Sequence, residues 1–92
     1  MKIIISGTVD IDPEQMEAAM TAAKPLIEGA LTQEGIMDYD WCPDPLTPGR
    51  IRVFERWESQ HALEKHFNNH WYQDMRVALA QFGIRGADVL KY

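Results

Sequence analysis

Hydrophobic and polar positions recur along this chain with two different periods, and the two periods divide it into six elements. Alternation of β-branched and aromatic residues predicts strands over residues 2–11, 36–42, 50–57 and 84–92. Apolar positions spaced by 3.6 residues predict helices after the first strand and after the third. The order is therefore β-α-β-β-α-β, which predicts a ferredoxin-like α+β fold with one antiparallel sheet and helices on one face.

Capping residues predict where the helices begin. Asp12 followed by Pro13 predicts the start of the first helix, and Pro25 inside that helix predicts a kink or a split. Ser59 predicts the N-cap of the helix that follows the third strand. Asn68-Asn69 then interrupts the helical spacing, so we expect two consecutive helical segments there rather than one.

The sheet face that the helices leave bare should be polar, but it is not uniformly so. Ile4 and Phe54 are apolar, although they alternate with Ile5 and Val53, which the helices should cover. The second strand adds an apolar row at Met37, Tyr39 and Trp41. An apolar second face needs a cover, and a second copy of the same chain packed about a two-fold axis is the simplest. The pattern therefore predicts a homodimer.

Length and charge narrow the classes of function. The 92 residues predict a single domain over 1–92. A net charge of −5 disfavours nucleic acid and anionic membranes as partners. The apolar stretch near the N-terminus is too short for a signal peptide, and Cys42 is the only cysteine, so we expect a cytoplasmic protein without a disulfide. With no basic motif beside it, Cys42 is expected to be buried and inert.

His66 is the candidate for chemistry. It shares an otherwise apolar helical face with Ala62, Leu63 and Phe67, and an imidazole that titrates near neutrality can remove a phenolic proton. The alternative is a core histidine that bonds a neighbour such as Glu55, with no cavity beside it. His70 lies four residues on, but no third metal ligand is evident, so no bound metal is expected.

Charged and aromatic side chains near His66 are candidates for substrate binding. Arg52 or Arg56 would stabilise a phenolate if either faces a pocket, or both are surface cations paired with acids such as Asp38. The aromatic residues are either core and dimer interface or the lining of a pocket for a flat aromatic ligand. These residues are Trp57, Phe67, Trp71 and Tyr72.

Two short segments resemble the antibiotic biosynthesis monooxygenase domain family. Residues 34–40, EGIMDYD, match a Glu-Gly-x-x-x-Tyr pattern, and residues 53–59, VFERWES, match a Glu-x-Trp strand end, with Ala62-Leu63 and His66 following. The resemblance implies a dimeric α+β barrel in which two sheets pack face to face, with a pocket between sheet and helices in each subunit. Characterised members oxygenate phenols, hydroquinones or anthrones without metal or flavin, others degrade haem, and others have no established reaction.

The haem-degrading branch differs from this chain at its diagnostic positions. Its asparagine, tryptophan and histidine iron ligand align with Gly7, His66 and Arg76 here, and arginine cannot replace a neutral imidazole ligand. The resemblance therefore implies a cofactor-independent monooxygenase that acts on a quinol, phenol or anthrone with molecular oxygen, with His66 as base and no metal, haem or flavin. The alternative is a non-enzymatic small-molecule binding or interaction module on the same dimeric scaffold.

Overall fold

The computed structural model describes all of the chain, Met1–Tyr92, and contains one four-stranded antiparallel sheet with three α-helices on one face. The strands are β1 (Ile3–Asp10), β2 (Ile36–Pro43), β3 (Arg50–Trp57) and β4 (Gly86–Lys91). The helices are α1 (Met16–Ala30), α2 (Gln60–Phe67) and α3 (His70–Ala80), and a 3-10 turn, Pro13–Gln15, precedes α1. The strand order β2-β3-β1-β4 confirms the predicted ferredoxin-like α+β fold.

Side-chain caps begin the helical segments where the sequence predicted. Asp12 accepts a hydrogen bond from the backbone of the 3-10 turn that leads into α1. Ser59 Oγ accepts from the Ala62 backbone N–H at 3.1 Å and begins α2. Asn69 Oδ1 accepts from the Trp71 N–H at 3.0 Å, so one asparagine of the predicted break is the N-cap of α3.

The predicted split at Pro25 does not occur, because α1 runs without interruption from Met16 to Ala30. Pro25 removes one helical hydrogen bond, to the carbonyl group of Thr21. Both residues are exposed, so water can bond that carbonyl instead. No helix of this chain, α1 included, combines the length and hydrophobicity needed to cross a membrane.

Two groups of buried side chains fill the space between the sheet and the helices. The first joins β1 and β3 to α1 and α3: Val9, Ile11, Ala19, Ala23, Ile51, Val53, Met75 and Leu79. The second lies nearer to β2 and α2: Ile5, Ala30, Tyr39, Trp57, Ala62 and Leu63. No residue of β4 is buried, so the inner face of the sheet is left open along this edge strand.

The outer face of the sheet has no cover, and it carries the apolar residues that the strand pattern predicted there. Ile4 is half-buried and Phe54 is 37% exposed. Phe54 pairs with Ser6, which in turn pairs with Leu90 of β4, so the three side chains form a row across the sheet. This face therefore presents an apolar strip to solvent, formed by Ile4, Phe54 and Leu90 and interrupted by Ser6.

Two expectations for the second strand were wrong. A β-bulge falls at Met37, so Met37 leaves the alternation while Tyr39 is buried under the helices, and the predicted apolar row is not one face. Cys42 is exposed rather than buried, because it lies beside Arg52 on the outer face of the edge strand β2.

Gly49 offers a test of the turn that leads into β3. Its φ is 83°, and an added Cβ would lie 2.5 Å from the Ile11 carbonyl oxygen. We expect Gly49→Ala to lower the free energy of unfolding by about 1–3 kcal/mol, since the left-handed backbone and the contact are both unfavourable. Urea denaturation measures the loss.

Gly86→Ala is the matched control, because Gly86 has no positive φ and no heavy atom within 4 Å of an added Cβ. We expect this change to leave stability unchanged or to raise it by about 0.4–1 kcal/mol. Equal destabilisation by the two substitutions would contradict the structural account of the Gly49 turn.

Candidate active site

A cavity of about 610 Å³ lies between the inner face of the sheet and α3, on the side where β4 is uncovered. This volume falls within the range of small-molecule sites. Twelve of its fifteen lining residues are apolar, which leaves only Glu55, Arg76 and Lys91 to contribute charge. The apolar residues are Ile5, Val9, Trp41, Val53, Phe67, Tyr72, Leu79, Ala80, Ile84, Ala87, Val89 and Leu90.

Gly7 allows β4 to approach the middle of the sheet at this cavity. Gly7 pairs with Val89, and an added Cβ would clash with the Asp88 carbonyl oxygen and the Val89 Cα. Because Gly7 has no side chain, β4 can lie close to β1, and Val89 forms part of the cavity wall. A larger side chain at this position, asparagine included, has no room here without a shift of β4.

Glu55 contributes the buried charge of the cavity. Strand alternation places it on the inner face of β3 between Val53 and Trp57, and it is only 6% exposed. The Trp57 indole Nε1–H donates a hydrogen bond to Glu55 Oε1 at 3.1 Å. Burial raises the pKa of Glu55 to about 7, although the Trp57 hydrogen bond favours the ionised form. Both protonation states are therefore populated at neutral pH.

His66 points inward, as the helical spacing predicted, and is 1% exposed. Its Nδ1 lies 2.6 Å from Gln33 Oε1, which can only accept, so Nδ1 carries the hydrogen and Nε2 keeps a lone pair without a partner. Burial lowers the pKa of His66 to about 4, so the ring is neutral at pH 7. The alternative cap by Glu55 does not form, because Glu55 bonds Trp57 instead.

Aromatic rings surround His66 and separate it from the cavity. Ring centroids of Tyr39, Trp57, Phe67 and Tyr72 lie 4.6–6.1 Å from that of His66. Phe67 and Tyr72 line the cavity while His66 does not, so the imidazole lies one layer behind the wall. The sequence placed the histidine inside, but it did not show these rings in front of it.

Tyr39 adds a protonated hydroxyl to the same buried cluster. It pairs with Glu55 across β2 and β3, on the inner face of the sheet. Burial and the negative charge of Glu55 raise the pKa of Tyr39 well above its ordinary value. The hydroxyl therefore stays neutral and is available as a hydrogen-bond donor.

Arg52 and Arg56, predicted as substrate-binding cations, lie on the outer face of the sheet and do not line the cavity. Arg56 Nε lies 2.7 Å from Asp38 Oδ2, and Arg52 Nη2 lies 2.8 Å from Asp44 Oδ2. The alternative interpretation, that these arginines pair with acids, is the one that the structure supports. Arg52 and Arg56 alternate along β3 with the inward-facing Val53, so the strand period had already implied that both arginines lie on the outer face.

The four predicted aromatic residues divide into two pairs. Phe67 and Tyr72 line the cavity. Trp57 is fully buried beside Glu55, and Trp71 packs over Gly29 of α1, where an added Cβ would lie 2.5 Å from the indole ring. Trp57 and Trp71 therefore support the core behind and beside the site.

Sequence reasoning missed the three charged residues of the cavity, which are Glu55, Arg76 and Lys91. Glu55 was considered only as a partner of His66, although its position between two inward residues of a strand was a signal of burial. Arg76 was considered only as the residue that aligns with a haem ligand. It lies on the exposed side of α3 at the cavity, with its guanidinium carbon 5.8 Å from the centroid of the Tyr72 ring.

No group of three or more His, Cys, Asp or Glu side chains is arranged to hold a metal ion. His70, which lies four residues after His66, contacts Asp74 on α3, with Nδ1 3.2 Å from Oδ2. His66 and His70 therefore have different partners and do not form a common site.

Comparison with known proteins places this fold among monooxygenase domains. A family model described as antibiotic biosynthesis monooxygenase matches residues 2–78. The structure of a conserved protein from Methanosarcina mazei superposes with a TM-score of 0.90 at 22% identity, covering 100% of this chain and 91% of that one. A candidate antibiotic biosynthesis monooxygenase from Caulobacter crescentus superposes with a TM-score of 0.91 at 15% identity, covering 99% and 87%.

Two further relatives extend the comparison. A candidate antibiotic biosynthesis monooxygenase from Nitrosomonas europaea has a TM-score of 0.89 at 16% identity, covering 99% of this chain and 88% of its own. An uncharacterized protein from Synechocystis is 22% identical over 72 residues, which are 78% of this chain and 49% of that protein. This chain therefore spans about half the length of that curated relative. At these identities the structural likeness establishes the fold.

The opposite pKa shifts of Glu55 and His66 predict opposite dependences of stability on pH. The folded pKa of Glu55 is raised from 4.5 to about 7, so its contribution to stability is present below 4.5 and is lost as pH rises through 7. The folded pKa of His66 is lowered from 6.5 to about 4, so its contribution is present above 6.5 and is lost as pH falls through 4. Between pH 4.5 and 6.5 the two effects oppose each other.

When Glu55 or His66 is replaced, the pH dependence of stability should be set by the other of the two residues. For Glu55→Gln we expect the free energy of unfolding to rise between pH 4 and 6.5, by up to about 3 kcal/mol. For His66→Gln we expect it to fall by a similar amount between pH 4.5 and 7. Denaturant titrations at half-unit pH intervals measure both slopes, and parallel slopes in the two variants would contradict the assignment.

Proposed function

The chain belongs to the antibiotic biosynthesis monooxygenase family, and we propose that it oxygenates an electron-rich aromatic of quinol, phenol or anthrone type with molecular oxygen and without a cofactor. The observation that carries the proposal is the carboxyl group of Glu55, with a pKa of about 7, at the wall of an apolar cavity. Family membership supports a monooxygenase-like role, and the cavity supports an aromatic substrate.

The lining of the cavity suits a flat aromatic ring. Trp41, Phe67 and Tyr72 contribute aromatic surfaces, and the remaining apolar lining excludes water from a bound ring. Exclusion of water strengthens electrostatic interactions with the substrate and limits side reactions of an activated intermediate. The cavity thus contributes orientation and an apolar surface to the reaction.

Glu55 is the base that we assign to the reaction, because its side chain lines the cavity. A phenolic hydroxyl has a pKa of about 10, so transfer of its proton to an ordinary glutamate is uphill by roughly 7–8 kcal/mol. A glutamate with a pKa of about 7 reduces that difference to roughly 4 kcal/mol. The burial that raises the pKa of Glu55 therefore makes the carboxylate a more effective proton acceptor.

His66 is the second candidate for the base, as the sequence suggested. Its Nε2 has a free lone pair, but a pKa of about 4 makes the ring a weaker base than Glu55. It would also need a movement of Phe67 or Tyr72 to contact a ligand in the cavity. We therefore propose that His66 supports the aromatic wall, and that Glu55 accepts the proton.

The proposed reaction balances without an external reductant. Glu55 takes the phenolic proton, and the substrate anion transfers one electron to molecular oxygen, which gives an aromatic radical and superoxide. The two radicals combine to form a carbon–oxygen bond, and the peroxide so formed takes up a proton. A base then removes the proton from the carbon that bears the hydroperoxide, the electron pair of that carbon–hydrogen bond forms the carbonyl group, and the oxygen–oxygen bond breaks. One oxygen atom stays in the product as the carbonyl oxygen, and the other leaves as hydroxide, which takes up the released proton to give water. The substrate supplies all four electrons.

One observation favours the alternative, a non-enzymatic small-molecule binding module on the same scaffold. The cations expected to stabilise a phenolate, Arg52 and Arg56, are on the opposite face of the sheet. The buried part of the cavity then offers an acid but no cation to an anionic intermediate. A binding module needs only the apolar cavity and its hydrogen-bonding groups.

Oxygen consumption distinguishes the two functions. With a panel of quinols and naphthols, we expect wild-type turnover, and we expect Glu55→Gln to reduce kcat by roughly 10²–10⁴-fold, the usual contribution of a general base. In the wild type kcat/KM should rise with pH through about 7, because only the ionised carboxylate accepts a proton.

His66→Asn is the comparison for this assay, and we expect it to lower kcat by less than about tenfold. A larger loss in His66→Asn than in Glu55→Gln would move the base to the histidine. Binding of the panel without oxygen uptake by the wild type would support the binding module and reject the oxygenase.

We also propose that two chains associate through the outer face of the sheet. Ile4, Phe54 and Leu90 present an apolar strip there, and Leu90 is 55% exposed. A second copy packed sheet to sheet would cover this strip on both chains at once. Ion pairs on the same face, such as Arg56 with Asp38, would border the apolar contact.

Sedimentation equilibrium at micromolar concentration should give twice the chain mass of 10.6 kDa. We expect Phe54→Lys to shift the protein toward monomer, since it places a charge within the apolar strip. Val77→Lys is the matched control, because Val77 is equally apolar and is 61% exposed on α3. A stable wild-type monomer, or equal dissociation by both substitutions, would reject this interface.

A further inference from the structure

Arg76 differs from the other arginines of this chain in having no acidic partner. Of the five arginines, four lie within 4.0 Å of an aspartate oxygen: Arg50, Arg52, Arg56 and Arg85. The chain has 14 acidic residues and a net charge of −5, so acidic partners are abundant. The one arginine without such a partner is the one that lines the cavity.

The contacts of Arg76 keep its charge at the cavity without neutralising it. The guanidinium carbon lies 5.8 Å from the centroid of the Tyr72 ring, and Tyr72 also lines the cavity. A cation over an aromatic face is held in position while its N–H groups stay available. Lys91, the second cation of the lining, donates to the neutral Gln60 Oε1 at 3.2 Å, so its charge is uncompensated as well.

The charged lining residues are arranged by depth. Arg76 and Lys91 are exposed, whereas Glu55 is buried, and every other lining residue is apolar. A ligand that fits this arrangement has three parts. Its inner end carries a polar group that hydrogen-bonds the carboxyl group of Glu55, its middle is apolar, and its outer end carries an anionic group. An anion at the exposed rim avoids the desolvation that would disfavour it deeper in the cavity.

We propose that the cavity selects an aromatic acid: a flat ring system with a hydroxyl group directed to Glu55 and a carboxylate bound by Arg76 at the rim. The aromatic body and inner hydroxyl rest on the proposed function, and the rim carboxylate is the new element. Arginine pairs with carboxylate through two parallel hydrogen bonds, which favours this anion over a neutral ester of the same shape. The overall negative charge of the chain makes a local cation necessary for such a ligand.

Three probes separate the parts of this proposal. 6-Hydroxy-2-naphthoic acid carries both groups at opposite ends of a flat ring system, its methyl ester lacks the charge, and 2-naphthoic acid lacks the hydroxyl. Dissociation constants are measured by isothermal titration calorimetry under nitrogen at pH 7.5, so that no oxygen-dependent reaction contributes. We expect the wild type to bind the hydroxy acid about tenfold more tightly than its ester, since a charge-assisted pair is lost.

Variants of the rim test whether Arg76 causes the preference. We expect Arg76→Gln to weaken binding of the hydroxy acid about tenfold and to leave binding of the ester within about twofold. Arg76→Lys should restore part of the preference, because it keeps the charge but not the planar two-bond geometry. Lys24→Gln, an exposed change of the same charge on α1, should leave both constants unchanged.

Several outcomes would overturn the proposal. Equal wild-type affinity for acid and ester, or no binding of either, would show that the rim does not select an anion. Equal weakening of acid and ester binding by Arg76→Gln would show that the arginine only supports the fold. If Lys24→Gln weakened binding of the acid as much as Arg76→Gln does, the preference for the acid would come from the net charge of the protein and not from the rim. Binding is measured without oxygen and is therefore independent of turnover. If the carboxylate preference is absent, the proposed oxygenation of neutral quinols is unaffected. If oxygenation is absent, the carboxylate preference is equally unaffected.

Discussion

Strand β3 must bury every second side chain against the helices, and one of those side chains is a carboxyl. Ile51, Val53, Glu55 and Trp57 share the inner face, so the strand period cannot bury its two neighbours on that face without burying Glu55. The chain reduces the unfavourable free energy of this burial in two ways. Trp57 donates a hydrogen bond to one oxygen, and the raised pKa allows the group to hold a proton near neutrality.

The cavity next to that carboxyl arises from incomplete coverage of the sheet. The helices bury inner-face residues of β1, β2 and β3, but all six residues of β4 stay exposed. Val89 is still 38% exposed, and covering that remainder would contribute roughly 1 kcal/mol or less to stability. That stabilisation is absent, and the same space forms the apolar cavity with Glu55 in its wall.

Glu55 and His66 are both ionisable and buried, and their pKa values move in the directions that favour neutral forms. Burial raises the pKa of the acid to about 7 and lowers that of the base to about 4. The pair therefore does not form a salt bridge, and each group bonds a neutral partner, Trp57 or Gln33. The interior between the sheet and the helices therefore holds two ionisable groups without a permanent buried charge.

Local patterns in the sequence were sufficient for most of the fold. The period of alternation gave the bounds of β3, and the capping residue Ser59 gave the start of α2, because both depend on neighbours within a few residues. The same patterns placed His66 inside, Ile4 and Phe54 outside, and identified the family resemblance. Local patterns did not predict the bulge at Met37, since it appears only when β2 pairs with β3.

The site required the tertiary structure, because its parts come from distant segments. Alternation put Glu55 on the inner face and Arg52 and Arg56 on the outer one, but only the packing of α3 beside an uncovered β4 shows which face holds the cavity. Whether an arginine is paired depends on acids up to 73 residues away, as Arg85 and Asp12 illustrate. Local periodicity determined the direction in which each side chain points, and long-range packing decided what each side chain meets there.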